Sequence, residues 1–193
     1  MKPLPRAFYE RPSVTLARTL LGKILVSDLG GIRTAGRIVE AEAYRPDDPA
    51  SHSFRGPTPG NLSMFGPPGR AYVYVSHGIH HCMNAVARSG SAVLLRALEP
   101  IEGLEDMAAR RRLDDPRLLC AGPGRLCQAL GITREQDGHD LTSPTGLWIA
   151  DGPPPGRVLR SPRIGISQAV ERAWRFVEEG SRFVSRPAIR RRG

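Results

Sequence analysis

The chain has 193 residues, 40% of them hydrophobic, which suits one domain with a real core. No apolar run approaches the roughly 18 residues of a membrane span, and residues 1–12 lack a signal-peptide core, so a soluble cytoplasmic protein without a membrane partner is expected. A formal net charge of +9 points to a polyanion such as nucleic acid, while Cys82, Cys120 and Cys127 lack CxxC spacing and fit a reducing compartment rather than a disulfide framework.

Arg11-Pro12-Ser13, followed by Val14, Ala17, Leu20 and Leu21, predicts a short amphipathic helix stopped at Gly22. A short strand is expected over 23–26, a turn at Asp28-Leu29-Gly30-Gly31, and a second strand over 33–44. Residues 45–70 are rich in Pro, Gly, Asp and Ser and read as a long ordered loop, in which embedded aromatic and His residues favour function. Tyr72-Val73-Tyr74-Val75 alternates as a strand over 71–76, His77-Gly78 makes a hairpin tip, and 79–86 returns. A further apolar strand is expected over 91–98. Pro100 suits the first turn of a helix reaching Arg112, and Gly122-Pro123-Gly124 opens another that ends at Gly131. Late strands are expected at 147–150 and 163–167, and a helix over 167–177. The sum is an α+β fold: a single domain over 1–193 with a largely antiparallel curved sheet, peripheral helices and a protruding β-hairpin. The ends, 1–11 and the Arg-rich 186–193, are expected to be flexible.

Period-two alternation puts Ile38, Glu40, Glu42 and Tyr44 on one face of the second strand. Two readings stand. The face is solvated, because burying unpaired carboxylates is costly, or Glu42 beside Tyr44, with His52 and Phe54 in the next loop, is a general base bordered by a base-binding surface. Tyr72 and Tyr74 share a face, as core packing or as a stacking platform. The small tip His77-Gly78-Ile79 has the shape of a wedge that enters a groove and displaces a nucleotide. Asn84 either reads a purine edge or satisfies local backbone. His80, His81 and Cys82 cannot converge from neighbouring strand positions, and zinc motifs such as HExxH are missing from the sequence, so no metal site is expected. Gly122-Pro123-Gly124-Arg125 offers free amides and a charge to a phosphate, or merely starts a helix.

In order along the chain, Ile38-Val39-Glu40-Ala41-Glu42-Ala43-Tyr44, His52-Ser53, Met64-Phe65 and Tyr72-Val73-Tyr74-Val75 are followed by Cys82-Met83-Asn84, by 93–100 (Val-Leu-Leu-Arg-Ala-Leu-Glu-Pro), by Gly122-Pro123 and by Leu126-Cys127-Gln128-Ala129-Leu130. This succession resembles the alkyladenine (3-methyladenine) DNA glycosylase family first known from vertebrates, from about Pro12 to Trp174. The resemblance implies base-excision repair: hydrolysis of the N-glycosidic bond of a flipped-out damaged purine (3-methyladenine, 7-methylguanine, hypoxanthine or etheno-adenine) in double-stranded DNA. It implies Glu42 as the base that activates water, and Tyr44, His52 and Tyr74 sandwiching the purine. Asn84 would clash with the 2-amino group of normal guanine, Arg96 would lie by the pocket, and Gly124 and Arg125 would touch the DNA backbone. His77 stands where the family's best-known members carry a wedge tyrosine, and Ile79 would share that role. No cofactor is implied, a monomer is expected, and Lys2 and Lys23 lie outside the matching segments, so water rather than lysine is the expected nucleophile. A non-catalytic damaged-DNA binding protein is the alternative, and a metal-dependent hydrolase a third reading. One geometric demand follows. A two-residue turn at His77-Gly78 would put Tyr74 and Asn84 on opposite faces, so a shared pocket needs a three-residue loop or a bulge.

Overall fold

The computed structural model describes residues 1–188. An antiparallel eight-stranded sheet curls around one main core, with helices packed on its inner face, as the α+β expectation has it. The chain opens with α1 (Arg6–Tyr9) and α2 (Ser13–Leu20), then β1 (Ile24–Ser27) and β2 (Thr34–Tyr44). A long loop containing a 3-10 turn at Leu62–Phe65 leads to β3 (Ala71–Ser76), β4 (His80–Val86) and β5 (Ala92–Glu102). There follow α3 (Leu104–Arg111), α4 (Pro116–Leu119), α5 (Pro123–Leu130), β6 (Leu147–Ala150), β7 (Val158–Ser161) and β8 (Arg175–Glu178). The strand order is β3-β4-β5-β2-β1-β6.

β2 organises the molecule. One edge pairs with β5 along its length, while the other pairs first with β1 (residues 34–37) and then with β8 (residues 40–42). β7 extends that branch by pairing with β8. Leu16 and Leu20 of α2, Met107 of α3, and Leu126 and Leu130 of α5 meet Ala41, Ala43, Leu95 and Leu98 in the main core. α5 has Pro123 in its first turn and ends at Gly131 with φ 70°, the start and stop that the sequence indicates. Among the described residues, no helix is long and apolar enough to cross a membrane.

Several expectations change. Pro100 starts no helix. β5 runs through it to Glu102, with Pro100 opposite Gly36 beside a register shift, where a missing N–H disturbs the ladder least. α3 begins after Gly103 (φ 72°), where a Cβ would lie 2.5 Å from the Arg33 carbonyl and 2.7 Å from Thr34 Cγ2. Gly103→Ala is expected to cost about 2 kcal/mol by strain and clash, read as a lower urea midpoint; a midpoint equal to the native one contradicts this account. Residues 163–167 form a loop rather than a strand, because the Arg163 and Ile164 polar groups bond across the site instead of joining a ladder. The helix expected over 167–177 is replaced by irregular chain and then β8, whose Phe176 and Val177 are buried by pairing with β2 and β7.

The start, expected to be flexible, makes definite contacts: Leu4 N donates to Ile149 O at 2.8 Å, Arg6 pairs with Asp140 at 2.7 Å, and Tyr9 is buried. Of the end expected to be flexible, residues 189–193 lie outside the described residues.

Candidate active site

The face of β2 away from the main core carries the chemistry. Ile38 packs into the core with Ala41 and Ala43. The face expected to begin at Ile38 therefore begins at Glu40. A register shift against β5 between Ile38 and Glu40 accounts for this, since one extra residue reverses the alternation. Nor is the face solvated. Glu40 and Glu42 are both 0% exposed.

Burial of Glu42 is compensated by three donors. Its Oε1 accepts from Ile164 N at 2.8 Å, and its Oε2 accepts from the Tyr44 hydroxyl at 3.0 Å and from Arg96 Nη1 at 3.2 Å. Burial raises the Glu42 pKa above the usual carboxylate range, against the pull of Arg96, the Ile164 amide and Tyr44, while neighbouring Glu40 pushes it further up. An acid with such opposed influences is a candidate base.

In front of Glu42 lies a cavity of about 340 Å³, lined by Tyr44, His52, Tyr74, Asn84 and Arg96 together with His77 at its edge. Glu42 does not line it; three lining residues, Tyr44, Arg96 and Ile164, separate it from the cavity and bond to it. The aromatic wall is cross-linked. His52 meets Tyr74 edge-on with centroids 4.5 Å apart, and its Nδ1 shares a hydrogen with the Tyr72 hydroxyl at 2.8 Å. Burial lowers the His52 pKa and pushes the Tyr72 hydroxyl up to about 12, so both are neutral near pH 7.

The β3–β4 hairpin meets the geometric demand. Tyr74 pairs with Cys82 and Ser76 with His80, leaving the three-residue loop His77-Gly78-Ile79. Tyr72 and Asn84 are directly opposite, and Asn84 Nδ2 donates to Tyr72 O at 3.0 Å. Thus Tyr74 and Asn84 reach one cavity. His77 takes φ 51°, and its Nδ1 shares a hydrogen with Ser76 Oγ at 2.9 Å; Ile79 is 73% exposed and stands apart from the cavity lining. Pro123 lines the cavity, and a Cβ on Gly124 would meet His80 Cβ at 3.0 Å, so the start of α5 seats against the hairpin base. Arg125 is exposed and bonds its own helix start at Ala121 O.

Sequence reasoning missed the loop that closes the cavity, Ile164-Gly165-Ile166, and the ion pair that anchors it. Arg163 makes two bonds to Asp48, with both side chains fully buried, and lies 4.7 Å from the Tyr44 ring centroid and 5.3 Å from that of Trp174. Asp48 and Arg163 are 115 residues apart, and no local pattern announces such a pair. It also missed Cys82, Leu94 and Ser51 in the lining.

An antiparallel curled sheet with a buried carboxylate behind an aromatic-walled cavity suits an enzyme that hydrolyses a bond to a planar heterocycle. The profile of the methylpurine-DNA glycosylase family matches residues 7–182. The chain belongs to this family, whose members are hydrolases of the N-glycosyl bond in base-excision repair. It is 50% identical to a protein of Agrobacterium fabrum over 95% of this chain and 92% of the relative. A relative in Nitrosospira multiformis is 51% identical (95% and 94% covered), and one in Methanoculleus marisnigri 50% identical (95% and 98% covered). All three carry the name "Putative 3-methyladenine DNA glycosylase".

Proposed function

We propose that this chain releases damaged purines, 3-methyladenine foremost, from double-stranded DNA, with Glu42 activating the attacking water. The observation that carries this is the fully buried Glu42 carboxylate, held by three donors directly behind a cavity with aromatic walls. A purine in a duplex hides its glycosidic bond in the stack, so the nucleotide is first extruded, at a cost of a few kcal/mol. Tyr44 faces the His52–Tyr74 wall across the base, and Asn84 disfavours normal guanine through its 2-amino group; 7-methylguanine carries the same group, and its cationic ring, a better leaving group, offsets the poorer fit. As the bond breaks, positive charge grows on the sugar. Glu42 stabilises that charge and takes a proton from water. The water reaches it by displacing the Arg96 Nη1 bond, the longest of the three at 3.2 Å.

3-Methyladenine and 7-methylguanine carry positive charge and leave without protonation; hypoxanthine and etheno-adenine belong to the same class of occupants. Gly124 and Arg125 at the α5 start meet backbone phosphate. The net charge of +9 supports binding to DNA, and action as a monomer in the cytoplasm completes the reading. The proposed chemistry needs neither metal nor cofactor. The deciding experiment is a base-release assay over duplexes bearing each lesion. Release of free base is expected; tight lesion binding with no release would install the damage-binding alternative instead.

The hairpin tip supplies the wedge in this reading. His77→Ala and Ile79→Ala are each expected to slow excision from a fully paired duplex about tenfold, because extrusion loses its filler. The loss should shrink when the lesion sits in a mismatch, where unstacking costs less. An equal loss on both substrates would remove the wedge role.

A further inference from the structure

Glu40 is the buried acid that the proposed chemistry leaves unused. It lines no part of the cavity, yet more donors converge on it than on Glu42. Its Oε1 accepts from Arg175 Nε at 2.7 Å, Ser185 Oγ at 2.8 Å and Arg96 Nε at 3.0 Å, and its Oε2 from Ser185 N at 2.6 Å. Arg175 is 2% exposed and is itself fixed by Ser161 Oγ and the Arg186 carbonyl. Two carboxylates and two guanidiniums thus form one buried, charge-balanced group, closed by the chain that follows β8.

Arg96 is divided between the two acids. Its Nε serves Glu40, Nη1 gives Glu42 a single, longer bond, and Nη2 reaches Ser185 Oγ at 3.5 Å. A guanidinium left free turns its rigid fork on one carboxylate and makes two short parallel bonds. Such a clamp would occupy both Glu42 lone pairs that water needs. We propose that Glu40, held by Arg175 and Ser185, is a positioning residue that keeps the Arg96 guanidinium from closing on Glu42. The proposal rests on the reading of Glu42 as the base.

The charged and titratable groups around Glu42 are Glu40 and Tyr44 on β2, Arg96 from β5, Arg175 from β8, Tyr74 from β3, and Arg163 behind Tyr44. Glu40→Gln removes a charge that pushes Glu42 up and frees Arg96 to clamp it, so both effects favour ionised Glu42 and make it a weaker base. Single-turnover release of 3-methyladenine should fall about tenfold. The acidic limb of its pH profile should move to lower pH, with lesion-duplex affinity within about twofold of native. Ser185→Ala, at the rim of the group, removes a donor from Glu40 and the partner of Arg96 Nη2 while leaving the Glu40 charge in place, so it loosens the hold on Arg96 alone. Its limb should move the same way, to lower pH, by less.

A slower Glu40→Gln with an unmoved limb shows a merely structural residue and overturns the proposal, as does native behaviour in both variants. If Glu40→Gln does not fold, Ser185→Ala decides alone, and an unmoved limb overturns it. A native protein that releases no base removes the glycosylase reading, and this proposal with it; an active native protein with unmoved limbs removes only this one.

Discussion

Glu42→Gln is expected to lower single-turnover release of 3-methyladenine from duplex DNA by about 10²–10⁴-fold while leaving lesion binding nearly intact. The amide keeps the shape of the carboxylate and still accepts from the Ile164 amide, which bonds Glu42 at 2.8 Å, so the cavity walls keep their places. What goes is the proton acceptor and the negative charge beneath the developing sugar cation. A second measurement bears on the same residue. In the proposed role Glu42 works ionised, so the native rate should fall as pH drops through its pKa, which burial raises above the usual range against the Arg96, Ile164 and Tyr44 bonds. The acidic limb should therefore lie at higher pH than the roughly 4.3 of a solvated glutamate. Excision that survives the substitution, or a native rate flat through that region, would take the base assignment away from Glu42. Thermal melting of both proteins separates lost chemistry from lost folding.

The legible parts of this chain were those written locally. Alternation over 71–76, the Pro and Gly brackets of α5 and the amphipathic period of α2 each depend on neighbours within a turn or two. The hairpin tip was legible as far as a choice between a three-residue loop and a bulge, because a two-residue turn would keep Tyr74 and Asn84 from one pocket; the structure has the loop. Glu42 was visible only as one of two acids on a strand, and the simple alternation misplaced Ile38, since the register shift at Val39 leaves no trace in residue type. The late chain was hardest. Val158-Leu159 and Phe176-Val177 are too short to declare themselves strands, and they become strands by pairing with each other and with β2. Residues 163–167 have the apolar content of a strand, but their polar groups are claimed by Asp48 and Glu42, both far away in sequence. Long-range ion pairs of this kind set the pocket wall, and composition cannot express them.

The Asp48–Arg163 pair is where that dependence can be measured. Asp48→Ala is expected to destabilise the fold by about 3–5 kcal/mol, because it leaves a guanidinium fully buried with its charge uncompensated. For a domain of this length that is a fall in melting temperature of roughly 6–20 °C. The Ala43 carbonyl, at 3.0 Å from Nη1, and the Tyr44 and Trp174 rings remain as partners. They are dipoles and quadrupoles, which do not replace a carboxylate, and Arg172, 3.9 Å from Asp48, then adds like charge nearby. Asp48→Ala with Arg163→Met removes both charges and refills the space, so the double variant should melt above the single one. If the single variant loses less than about 1 kcal/mol, the value of an exposed pair, the site is hydrated and the argument from burial is wrong. The double variant then isolates geometry from stability. Ile164 follows Arg163 directly, and its amide reaches Glu42 only while that loop lies against the cavity. At a temperature where it is fully folded, the double variant should therefore excise more slowly than the native protein. An undiminished rate would mean that Ile164 holds its place without the anchor.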